Sequence, residues 1–107
     1  MQFRGGMNEL VRQAARMQRK VDQIKEEIKD RESSATSAGD KVKVTVTCEG
    51  KLTRIEVDPE FARAEAADLV YDAIVAAANA ALKIADEFAT AEIAKVTGGV
   101  KIPGISG

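Results

Sequence analysis

Lys41-Val42-Lys43-Val44-Thr45-Val46-Thr47-Cys48 alternates apolar and polar residues without a break. The period of two sends Val42, Val44, Val46 and Cys48 to one face of a strand and Lys41, Lys43, Thr45 and Thr47 to the other. Glu49-Gly50 follows as a two-residue turn, because glycine accepts the positive φ that tight hairpins need. Lys51 to Val57 then reads as a second strand with Thr53, Ile55 and Val57 on one side, completing an antiparallel hairpin.

On the N-terminal side of this hairpin the apolar residues Met7, Leu10, Ala14, Met17, Val21, Ile24 and Ile28 are spaced alternately by three and four. That is a coiled-coil-like heptad seam on one long helix, placed at about residues 7–32, with residues 1–6 as an arm before it. The Ser33-Ser34-Ala35-Thr36-Ser37-Ala38-Gly39 stretch reads as the loop that ends the helix. On the C-terminal side, Asp58-Pro59 pairs an N-cap with a proline at the first helical position and starts a short helical turn. A second long helix spans residues 66–97, with Val70, Ile74, Ala77, Ala81, Ile84 and Phe88 as its apolar stripe and Gly98-Gly99 as its stop. Residues 98–107 are expected to be a tail that docks or stays mobile. The fold class is α+β, one domain: long helix, β region over residues 41–57, short helical turn, long helix.

Each long helix would reach about 40 Å, whereas a compact globule of this length is roughly 34 Å across. The helices must therefore overhang the hairpin. With 107 residues, three Phe, one Tyr and no Trp, the chain has few large side chains to fill a core of its own. A homodimer with projecting helical arms is the expected state.

Composition narrows the chemistry. There is no histidine, so His-based metal sites, Ser-His-Asp and Cys-His nucleophiles and His proton shuttles are excluded. The glycines form neither dinucleotide-binding nor phosphate-loop spacings. Cys48 is the single cysteine and reads as a small inward-facing hydrophobe. No enzyme, cofactor, metal, small-molecule substrate, membrane span or secretion signal is expected, and the location is taken as cytoplasmic.

The formal net charge is −1, yet the charge is segregated. Residues 1–25 carry six basic side chains against two acidic, and residues 58–95 carry three basic against eight acidic. On the first helix Arg12, Arg16 and Arg19 advance by four and three on the side away from the seam, with Lys20 beside them. Arginine suits phosphate, because its planar fork donates two parallel hydrogen bonds. The same stripe also reads as a solvated face that pairs with acidic groups.

Gly5-Gly6-Met7 and Leu10-Val11-Arg12-Gln13-Ala14-Ala15-Arg16-Met17-Gln18 resemble the opening of the YbaB/EbfC family of bacterial nucleoid-associated proteins. The likeness continues through Val42 to Val46, Gly50, Ile55-Glu56-Val57-Asp58-Pro59, Asp68-Leu69-Val70 and Val96 to Gly104, nearly the whole chain. The resemblance implies an α/β/α domain that dimerises through its sheet region, with helices projecting like tweezers that hold duplex DNA. Carried onto this chain, Arg12, Arg16, Arg19 and Lys20 become the phosphate-facing positions, with Lys83 on the second long helix as a further one. A different class of function stays open beside it: a protein–protein adaptor whose helical arms bind another protein, for which the acidic second helix would suit a basic partner.

Overall fold

The computed structural model describes residues 3–98. In chain order it contains α1 (Phe3–Ile28), β1 (Glu32–Ser37), β2 (Val42–Thr47), β3 (Leu52–Val57), α2 (Pro59–Ala64) and α3 (Ala67–Thr97). The three strands form an antiparallel sheet in the order β1-β2-β3. The expected tail, residues 98–107, falls outside the described residues after Gly98.

The central strand β2 forms as its alternation predicts. Val42, Val44 and Val46 are fully buried and pack against Ala77, Ala81 and Ala85 of α3. Thr45 and Thr47, expected to face solvent, are also buried. The reason is a strand that the sequence reading missed. The expected loop over 33–39 is β1, paired with β2 from Glu32↔Thr47 to Ser37↔Val42. It turns Ser33, Ala35 and Ser37 to the helix side and Glu32, Ser34 and Thr36 outward. Ser34 and Thr45 share a 2.9 Å hydrogen bond between hydroxyls on the outer face, and the Ser37 hydroxyl donates to the Ala73 carbonyl of α3 at 2.6 Å.

The limits of α1 move accordingly. The helix begins at Phe3, so Gly5 and Gly6 lie inside it, and it ends at Ile28 instead of running to residue 32. The segment after Ile28 is captured by the end of β2: the Cys48 N–H donates to the Arg31 carbonyl and the Glu49 N–H to that of Lys29. These sheet-type bonds outweigh another helical turn.

The β2–β3 connection uses Gly50 at φ 91°, with the Thr47 N–H donating to the Lys51 carbonyl at 2.8 Å. An irregularity between Thr45 and Val46 shifts the register, so that Leu52 pairs with Val46 while Ile55 and Val57 pair with Val44 and Val42. Leu52 therefore takes the helix-side place expected for Thr53, whose hydroxyl instead donates to Glu32 and to the Thr45 carbonyl. α2 starts as expected, with the Asp58 carboxylate accepting from the Phe61 N–H.

α3 lies across β1 and β2 and then runs on beyond the sheet to meet α1. Ser37 sits at Ala73, whereas Cys48 and the start of β1 sit at Ala85, so α3 leaves the sheet in the direction from which α1 arrives. The two helices are antiparallel, joined where the Arg31 guanidinium lies 3.9 Å from the Phe88 ring centroid. On α1, Met17, Val21, Ile24 and Ile28 are the covered part of the seam, and Val21 is fully buried. Met7, Leu10 and Ala14 are exposed. The overhang expected from helix length is present: the molecule measures 75 × 20 × 16 Å with a radius of gyration of 20.0 Å, against about 13 Å for a compact chain of this size. One stripe residue departs from expectation, since Ile84 is 44% exposed.

Candidate nucleic-acid interface

The candidate surface is the free end of α1. Residues 6–16 are all exposed, because α3 stops at Gly98, level with the middle of α1. Gly98 is in the left-handed conformation at φ 64°, and its N–H donates to the Ala94 carbonyl, which closes the helix. Beyond that point no other described residue covers α1, and its apolar and basic stripes occupy opposite sides.

Arg12, Arg16, Arg19 and Lys20 are all exposed, within a little over two helical turns. Glu9 lies at the head of this stripe. Its carboxylate is 3.6 Å from Arg12 and 3.6 Å from Arg16, an exposed pairing that spans both guanidinium groups. Arg19 and Lys20 take part in no ion pair among the described residues. The exposed pairs to Glu9 are individually weak and screened by salt, so the two arginines can exchange that carboxylate for another anion at little cost. Nearer the sheet the same helix turns mixed in sign: Lys29 contacts Glu26 at 2.6 Å, and the hydrogen bond to Glu26 raises the lysine above its ordinary pKa.

Lys83 is exposed on α3 but is not brought to this stripe. It lies fifteen residues before Gly98, about 22 Å along the helix axis, beside the sheet. The hairpin lysines are likewise on the body, where Lys41 contacts Asp58 at 3.7 Å and Lys51 contacts Glu49 at 3.2 Å.

Cys48 is half-buried, and its thiol donates to the Ala85 carbonyl across 3.8 Å. Burial pushes this thiol's pKa up, while Arg31 pulls it down by less. Among the described residues no group of three His, Cys, Asp or Glu is placed to hold a metal ion, and no helix is long and apolar enough to cross a membrane.

Residues 3–100 match the YbaB/EbfC DNA-binding family. The chain belongs to this family. A nucleoid-associated protein of Acetivibrio thermocellus is 40% identical over 104 residues, covering 96% of this chain and 92% of that protein. One from Clostridium acetobutylicum is 37% identical over 101 residues, covering 94% and 90%. The fold is shared with the crystal structure of an uncharacterized protein from Helicobacter pylori, at a TM-score of 0.58 and 22% identity over 67% of this chain and 83% of that one.

Glu9 is the member of this candidate surface that sequence reasoning passed over. Its signal was in reach: it stands three residues before Arg12 and seven before Arg16, on the same side of the helix.

Proposed function

We propose that the chain is a non-enzymatic, nucleoid-associated DNA-binding protein of the bacterial cytoplasm, acting as a homodimer that grips duplex DNA through the free ends of its two α1 helices. The observation that carries this reading is the exposed stripe Arg12, Arg16, Arg19 and Lys20 on a helix end that nothing else in the described chain covers, in a member of a DNA-binding family. The names of the relatives, nucleoid-associated proteins, support the same cellular role.

The chemistry is phosphate neutralisation. Guanidinium forks bind phosphate oxygens bidentately and displace condensed counterions, which gives affinity without reading base edges. Lys83 joins only if the duplex runs along the long axis toward the sheet. The acidic remainder of the chain keeps the overall field weak, so the attraction is confined to the arms.

The test is fluorescence anisotropy with a labelled 30-base-pair duplex of two unrelated sequences, titrated at several salt concentrations. Neutralising about six phosphates across the dimer predicts a log–log slope of roughly −5, alike for both sequences. A flat salt response refutes backbone gripping. Absence of binding at low salt by the folded protein transfers the role to the adaptor reading, in which the arms bind another protein.

A further inference from the structure

The heptad seam of α1 is covered over only half its length. From Met17 to Ile28 it packs against α3, but Met7 is 64% exposed, Leu10 66% and the adjoining Val11 66%. The uncovered half begins where α3 ends. There Gly98 turns the chain out of the helix in a left-handed conformation, and the residues that follow are Gly99-Val100-Lys101-Ile102-Pro103-Gly104-Ile105-Ser106-Gly107. This stretch holds three large aliphatic residues, a proline that bars a continued helix, and one charge, Lys101.

We propose that residues 99–107 run back along the free end of α1 and seat Val100, Ile102 and Ile105 on the Met7–Leu10–Ala14 stripe, extending the α1–α3 seam to the tip of the arm. The lengths allow it. Met17 to Met7 is ten helical residues, about 15 Å, and nine extended residues reach about 30 Å. The direction is right as well, because α3 is antiparallel to α1 and releases the chain toward the uncovered half. The obvious competitor for the stripe is α1 of a second copy. That arrangement needs a second molecule to be captured from solution, whereas the segment after Gly98 is tethered where the uncovered half of the stripe begins. The segment also leaves the arginine side of the helix open. It would act as a splint, holding straight an isolated helix end that contains Gly5 and Gly6. The inference does not depend on DNA binding.

Hydrogen exchange of the α1 amides tests it in the full chain, in Ile102→Asp and in a chain ending at Gly98. Both changes should speed exchange over residues 7–16 about tenfold while leaving residues 17–28 and the sheet unaltered. Unchanged exchange in both overturns the proposal. So does protection of residues 7–16 that rises with protein concentration and survives Ile102→Asp, which assigns the stripe to a second copy. As an independent measurement, Leu10→Cys with Ile102→Cys in a Cys48→Ser background should oxidise to an intramolecular disulfide. A disulfide-linked dimer as the main product also overturns it.

Discussion

The β1–β2 turn places a non-glycine residue where glycine is the easier choice. Ala38 has φ 53°, followed by Gly39 at 62° and Asp40 at 67°, and the Thr36 hydroxyl donates to the Asp40 carboxylate at 2.8 Å. A left-handed alanine costs roughly 1–2 kcal/mol, and glycine there returns part of that gain through the freedom of its unfolded chain. Ala38→Gly should therefore stabilise the protein by about 0.5 kcal/mol, visible as a higher urea midpoint at constant slope. Gly50→Ala is the opposite case: φ 91° tolerates a Cβ poorly, and the variant should lose about 1 kcal/mol in the same measurement. Cys48 gives a chemical readout of the packing between β2 and α3. Burial disfavours its thiolate, so alkylation in the folded protein should be slower than in urea, and its rise with pH should level off at a higher pH than in the unfolded chain. The linked effect on stability has one sign: the folded state holds the proton more tightly, so this contribution fades as pH rises through the thiol range. Equal labelling rates in both states would mean that the sheet end is open at Ala85.

At the scale of elements, what was legible in the sequence followed the strength of the hydrophobic pattern. β2 announces itself through three inward valines in alternation, and α2 through Asp58-Pro59, whereas β1 offers Ala35 as its sole apolar residue among a glutamate, three serines and a threonine. Its pairing is decided by tertiary context: small side chains at Ser33, Ala35 and Ser37 suit close approach of an alanine-rich helix, and local propensity says nothing of that. The basic stripe of α1 was readable because helical spacing alone groups Arg12, Arg16 and Arg19, while the place where α3 leaves α1 bare depends on the length of β1 and could not be read. Two predictions belong here. Replacing Arg12, Arg16 and Arg19 together by Ala should weaken binding to all DNA sequences alike and flatten the salt slope, with circular dichroism unchanged. Glu9→Gln should do the reverse, tightening binding severalfold at low salt and less at high salt, because it removes a carboxylate 3.6 Å from two of those arginines. If Glu9→Gln leaves the affinity unchanged while the arginine variant abolishes it, phosphate contacts lie toward Arg19 and Lys20, beyond the reach of that carboxylate.

At the scale of the whole molecule, the fully enclosed interior is small in volume for a chain of 11.4 kDa. The buried apolar residues are Val21, Val42, Val44, Val46 and Val70 with three alanines, while Leu52, Ile55, Leu69, Tyr71, Val75 and Ile84 stay between 44% and 62% exposed. Leu52 and Ile55 stand on the helix side of β3, where α3 does not reach them, and β3 is an open sheet edge with unpaired backbone groups. An aliphatic side chain fully buried gains about 1.5–3 kcal/mol, so covering these half-exposed ones supplies several kcal/mol toward association before its entropic cost is met. A second copy is the partner that symmetry provides at equal concentration, and it would also set two basic arms on one particle. Sedimentation equilibrium at micromolar protein should therefore give twice the chain mass. Val75→Glu, on the outer side of α3, should shift that mass toward the monomer and, if the protein remains helical, lower DNA affinity and roughly halve the salt slope. A helical monomer that binds DNA with the full slope would separate DNA binding from dimerisation, leaving the apolar surface around α3 and β3 to a different partner.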